Sequence, residues 1–259
     1  MSRQIAYVLL DAVHAIDAAS VIAALHTRHA GVSSEVMTGS AGAKPAGSAV
    51  TLRCDGEVIL VMTMPMPLPK QEWHLPSLRA SASWPEAPSV FAGHGAHLVV
   101  STLTESADRL HSARRIAAVV GALITVIPGC RAVLWESLVA HAPETWKAMS
   151  NDAFAPYPVF PYPLWVSLHP FQDGGKVGVI SFGLSSFVGR ELELEPQTLA
   201  PEEAASKAAG LAVYLLQHGP ALKDGDTFGA TAAERIRVRH VQSKRVPGLA
   251  VLHATADAA

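Results

Sequence analysis

From Pro161 to Glu195 the chain reads PYPLWVSLHPFQDGGKVGVISFGLSSFVGRELELE, a pattern that few arrangements other than a sheet accept. Leu164 to Leu168 and Val177 to Phe182 are strand-like, and Asp173-Gly174-Gly175 between them supplies the positive backbone angles of a tight turn. Glu191, Glu193 and Glu195 then alternate with Leu192 and Leu194, so on a strand the carboxylates share one face and the leucines enter the core. Three anions on one face invite a cation or a basic partner. Arg235, Arg237 and Arg239 alternate in the same way with Ile236 and Val238. On neighbouring strands the two rows would pair as a charge ladder, each pair worth about 0.2–1 kcal/mol.

With 259 residues, the chain is at the upper edge of one compact domain. Hydrophobic residues make up 49% and charged residues 16%, enough to bury a sizeable core. A formal net charge of −2 leaves no concentrated basic face for phosphate, so no nucleic-acid partner is expected. The longest apolar run, Ile116 to Cys130, contains Pro128 and Gly129 and falls short of the roughly 20 residues that span a bilayer, so no membrane partner is expected either. The apolar stretch Ile5–Leu10 is shorter than a signal peptide's core. Cys54 and Cys130 sit in apolar sequence and read as reduced core thiols. The expected compartment is the cytoplasm.

Along the chain, Ile5–Leu10 predicts a buried strand, and Asp17 caps a helix that ends near Gly31. The segment 33–48, rich in Gly, Ala, Ser and Pro, is expected to be a loop. Residues 49–54 and 58–63 flank Asp55-Gly56, the pair that best fits a two-residue hairpin turn. Pro65, Pro67, Pro69, Pro76, Pro85 and Pro88 then argue against a long helix until a strand resumes at Ala96–Ser101. Thr102 and Glu105 have capping-box spacing ahead of a helix that places Ala107, Leu110, Ala113, Ala117, Val120 and Ile124 on one face. Arg131–Trp135 reads as a strand, and a last helix starts at Pro201 and stops before Gly219. The order of elements predicts an α+β fold with antiparallel or mixed sheets and helices on one face, as two ferredoxin-like halves, about 1–108 and 109–259, packed as a single domain.

No complete catalytic or cofactor signature is present. Gly183-Leu184-Ser185-Ser186-Phe187 breaks the nucleophile elbow at its last position, GSAGAKPAGS lacks the Gly-Lys-Ser/Thr of a phosphate loop, and no dinucleotide fingerprint follows a strand. His26 with His29, and His94 with His97, have zinc-compatible spacing, but neither pair has a nearby third ligand; the first suits the last turn of a helix. Met62, Met64 and Met66 recur at every second residue and fill one apolar strand face more readily than they bind copper. No metal and no cofactor are expected. Glu136, Ser137 and His141, close together after a strand, are the candidate catalytic set if the chain is a hydrolase or small-molecule binder.

RAVLWES (131–137), PLWVSLHPF (163–171), ISFGLSSFVGRELELE (180–195), DGDTFG (224–229) and ERIRVRH (234–240) resemble a bacterial family catalogued as a domain of unknown function, over roughly the second half of the chain. Its best-matched positions here are Trp135, Leu164, Trp165, Gly183, Leu184, Phe187, Gly189, Glu191, Glu193, Gly225, Thr227 and Gly229, mostly apolar or Gly, which reads as fold maintenance. Such proteins occur among toxin and secretion loci, so the resemblance implies an immunity or accessory protein. The first expectation is therefore a non-enzymatic module that binds a protein partner. Its contact surface would comprise Glu191, Glu193 and Glu195, with Arg237 and Arg239, and the loop aromatics Trp73, Trp84, Trp146, Tyr157 and Tyr162. The alternative is the ligand pocket near Glu136 and His141. Nothing in the sequence specifies an oligomeric state.

Overall fold

The computed structural model describes residues 4–38, 49–103, 108–229 and 235–256. The chain divides into two compact units, Met1–Leu164 and Trp165–Ala259, a boundary well beyond the position near 108 that element order suggests. The fold is α+β, with one antiparallel and one mixed sheet. Among the described residues, no helix is long and apolar enough to cross a membrane.

In the first unit, β1 (Ile5–Leu10) lies between β5 (Ala96–Thr102) and β6 (Cys130–Trp135). The remaining strands are β2 (Ser34–Thr38), β3 (Ala49–Cys54), β4 (Glu57–Met64) and β7 (Val139–His141), giving the order β2-β3-β4-β5-β1-β6-β7 with every pair antiparallel. The β3–β4 turn forms as its sequence dictates: Asp55 and Gly56 both adopt positive φ, 48° and 84°. β2 occupies the start of the segment expected to be a loop, because pairing to β3 orders a sequence without a clear period; residues 39–48 of that segment lie outside the described residues.

Helices cover both faces of this sheet, not the single face expected. The cause is that β1 and β6 are apolar on both sides. Leu9, Ala132 and Leu134 meet Trp73 and Phe91 from α2 (Lys70–Ala80) and α3 (Ala87–Ala92). On the opposite side, Val133 and His141 form a cross-strand pair, and His141 packs against Trp146 of α5 (Pro143–Met149), which also donates from its indole N–H to Ala117. Ala117 belongs to α4 (Arg109–Val126), whose residues from Arg115 to Ile124 are all buried; α1 (Ala18–Arg28) packs on it. Their close approach needs Gly121, where a Cβ would collide with Ser150 Oγ and the Arg28 guanidinium.

Two expected boundaries change. Asp108 caps α4 by accepting from the His111 N–H at 2.9 Å, Thr102 ends β5, and Glu105 lies outside the described residues. α2 forms in spite of Pro76 at its seventh position. The cost of an interior proline, about 3 kcal/mol, is offset by the burial of Trp73, Pro76 and Ser77.

In the second unit, β8 (Ser167–Asp173), β9 (Lys176–Phe182), β10 (Glu191–Gln197), β11 (Thr227–Phe228), β12 (Ile236–Gln242) and β13 (Ala250–Ala256) run in the order β11-β12-β13-β10-β9-β8. β10 and β13 are parallel, and the other pairs are antiparallel. A four-residue helix, α6 (Ser185–Val188), joins β9 to β10; α7 (Pro201–His218) packs across β8, β9 and β10 through Ala204, Ala208, Leu211, Ala212 and Leu215.

Candidate functional site

The charge ladder does not form. β13 separates β10 from β12, so Glu193 lies opposite His253, and His253 opposite Arg239. Alternation defines the face of a strand but not its neighbour, and a C-terminal strand takes the place between the two charged rows. Arg239 instead meets the Asp224 carboxylate at 3.4 Å on the surface, and Arg237 lies half-buried between Thr227 and Thr255.

The acidic face is also not a surface. Glu191 and Glu193 are buried, with Leu192 and Leu194 buried on the other side of the strand, and only Glu195 of the three carboxylates is exposed. The Glu191 carboxylate accepts five hydrogen bonds: from the Ser181 and Ser185 hydroxyls, both at 2.6 Å, and from the backbone N–H groups of Gly183, Leu184 and Ser185 at 2.8, 3.0 and 3.2 Å. A buried carboxylate would otherwise cost several kcal/mol of lost hydration, and these donors replace it. Gly183, at φ 103°, is what lets the chain curl back over the carboxylate. Glu193 accepts from the Ser243 hydroxyl, whose oxygen in turn accepts from the Arg245 and Val246 N–H groups at 3.1 Å, so this carboxylate anchors the β12–β13 turn.

The expected aromatic surface divides in the same way. Trp73 and Trp146 are core residues, their indoles donating to Leu68 and Ala117 carbonyls. Trp84 packs edge-on against Phe91 and is half-buried, as is Tyr162, whose phenol burial pushes up in pKa. Tyr157 alone of the five is largely exposed, at 58%, and Val159 beside it is exposed at 57%.

Glu136 and His141 have different surroundings. The His141 ring bonds the Leu164 carbonyl at 3.2 Å and packs on Trp146; burial drives its pKa down to about 4. Glu136 lies at the end of β6 with a left-handed backbone (φ 51°) and accepts the Ile5 N–H at 2.6 Å; burial raises it to about 7, against the lowering effects of that bond and of Arg109. Ser137 is also left-handed (φ 54°) and donates its hydroxyl at 2.6 Å to Glu72, in the first turn of α2. Tyr7 of β1 completes the group. Its pKa is raised by burial and by the Glu72 and Glu136 charges, and the Ser137 hydroxyl opposes that rise. Sequence reading finds Glu136 and Ser137 but not Tyr7 or Glu72, because the hydroxyl–carboxylate contact joins positions 65 apart with no spacing motif between them.

Residues 180–253 match the family model of a domain of unknown function, DUF4261. No curated protein and no solved structure matches the chain. The DUF4261 region begins in β9 and ends in β13, within the second unit, so Trp135, Leu164 and Trp165 lie outside it. It contains both buried carboxylates and their donors, Ser181, Gly183, Leu184, Ser185 and Ser243. In the matched region, two of the three carboxylates are thus internal hydrogen-bond acceptors rather than parts of an exposed acidic face.

Proposed function

We propose that the chain is a cytoplasmic protein-binding module whose contact surface is the loop around Tyr157 and Val159, with a partner of the kind its resemblance implies, a protein from a bacterial toxin or secretion locus. The observation that carries this reading is how the loop is held. Phe154 sits edge-on to His29 at 5.1 Å and under the Arg115 guanidinium at 5.6 Å, and Arg114 lies 5.2 Å over the Phe160 ring. Both ends of the loop are pinned by cation–π and aromatic contacts, while Tyr157 and Val159 between them face solvent. Apolar side chains displayed on an anchored loop give up little conformational freedom on binding, and tyrosine is a common hot-spot residue.

The test is a photo-crosslinking residue at position 157, introduced in the native host, with purified partner binding measured for Tyr157→Ala and Val159→Asp. Each substitution is expected to weaken binding by about 30-fold or more, the usual scale of a hot spot, without changing the melting temperature. A partner bound equally well by both variants would overturn this assignment.

A further inference from the structure

We propose that Ser137 is an acyl-accepting nucleophile, with Glu72 as its general base and Tyr7 as a donor to the oxyanion, and that the group hydrolyses neutral carboxylic esters. The inference is independent of the binding loop. The Ser137 hydroxyl already points its hydrogen at a Glu72 carboxylate oxygen, 2.6 Å away, which is the geometry a base needs to remove that proton. Ser137 sits in a three-residue connection between β6 and β7 where two successive non-glycine residues, Glu136 and Ser137, hold φ values of 51° and 54°. Such backbone costs about 1–3 kcal/mol per residue and presents the hydroxyl at the apex of the turn.

Oxyanion donors are close by. The neighbouring N–H groups of Glu136 and Leu138 are spent on the Ile5 and Trp135 carbonyls, whereas no acceptor among the described residues takes the Ser137 N–H. The Tyr7 phenol, held in its protonated form by burial and by the two carboxylates, is a second donor beside the same hydroxyl. Leu134 and Ala140 follow Tyr7 in register across the sheet, and with Trp84 they belong to or pack on one apolar cluster, which suits an apolar acyl group. Glu72 and Glu136 repel anionic substrates, so phosphate esters and free carboxylates are disfavoured.

In the first step the Ser137 oxygen bonds the carbonyl carbon as Glu72 takes the hydroxyl proton. The carbon–alkoxy bond then breaks, and Glu72 returns that proton to the departing alcohol. In the second step water attacks the acyl-serine, Glu72 takes the water's proton, and the carboxylic acid leaves as that proton passes to the Ser137 oxygen. Ester and water are consumed, and acid and alcohol are formed.

The test uses the full chain with a fluorophosphonate probe and with p-nitrophenyl acetate, reading the modified peptide by mass spectrometry. Stoichiometric modification at Ser137 is expected, none in Ser137→Ala, and a labelling rate at least about a hundredfold lower in Glu72→Gln, the scale of a lost general base. The side-chain amide of that last variant keeps an acceptor for the hydroxyl but cannot take its proton, so a purely structural role would shift the melting temperature and leave the labelling rate unchanged. Failure of the folded wild-type chain to label at Ser137, or equal rates for wild type and Glu72→Gln, would overturn the proposal.

Discussion

Glu136 in the first unit and Glu191 in the second both sit at a strand end beside a turn with positive φ, and both accept backbone N–H groups. Five donors surround Glu191, three of them backbone amides, whereas Glu136 takes the single N–H of Ile5 among the described residues. The difference lies in how completely each loop replaces water. Around Glu191 the chain folds over the carboxylate and aims five donors at it, which makes the residue an anchor. Around Glu136 burial exceeds hydrogen bonding, and the carboxyl group is pushed up to about 7, where it exchanges its proton near neutrality. Identical side chains thus have five donors in one place and one in the other among the described residues, and at the second, Glu136, burial raises the pKa.

The most damaging way to break this comparison is Glu191→Ala. It leaves five donors facing a void, and a loss of about 3–4 kcal/mol is expected from the unsatisfied groups, read as a fall in the urea midpoint. A midpoint unchanged within error would mean that water replaces the carboxylate and that the residue is not an anchor.

His141 tests the same principle with the opposite charge. Its pKa falls from 6.5 to about 4 because burial disfavours the imidazolium, so the unfolded chain binds the proton first. The stability tied to its neutral form is present above pH 6.5 and is lost as pH falls through 4, by about 2 kcal/mol after allowing for relaxation. Urea titrations at pH 7 and pH 4 are expected to differ less in His141→Phe by that amount.

Glu136 sharpens the comparison from the other side. Its pKa is raised from 4.5 to about 7, so the folded chain holds the proton more tightly than the unfolded one. Its contribution is fully present below pH 4.5 and is lost as pH rises through 7. Glu136→Gln is therefore expected to be more stable than wild type at pH 8 by about 1–2 kcal/mol, and equal or weaker at pH 4. Matching pH profiles for variant and wild type would show that solvent, not burial, sets the proton affinity.

The smallest effect concerns the two charged rows. Glu193 and Arg239 lie two strands apart, roughly 9–10 Å across the sheet, with His253 between them. A double-mutant cycle with Glu193→Gln and Arg239→Ala is expected to show a coupling below about 0.5 kcal/mol. Coupling of 1 kcal/mol or more would restore the ladder.

Much of the local structure is legible in the sequence because its causes are local. β1 runs over Ile5–Leu10 as the apolar run predicts, the Asp55-Gly56 turn forms, and α7 starts at Pro201 and ends before Gly219. The candidate site is less legible. Trp73 and Trp146 read as loop aromatics because prolines surround the first and a short helix carries the second, yet each buries its ring and finds a carbonyl for its indole. Tyr7 and Glu72 carry no signal, since their partner Ser137 is brought to them only by the pairing of β6 with β1 and the packing of α2 beside β7.

By itself the sequence determined the α+β class, most strand and helix positions, and the alternation of Glu191, Glu193 and Glu195 with leucines, because these depend on side-chain period, turn chemistry and caps within a few residues. Tertiary structure alone decided that β13 would enter between the charged strands, that two of the three carboxylates would be buried under backbone donors, and that Ser137 would meet Glu72. Strand order and burial are set by contacts between distant residues competing for the same core, and a repeating pattern along one strand carries no record of its neighbour.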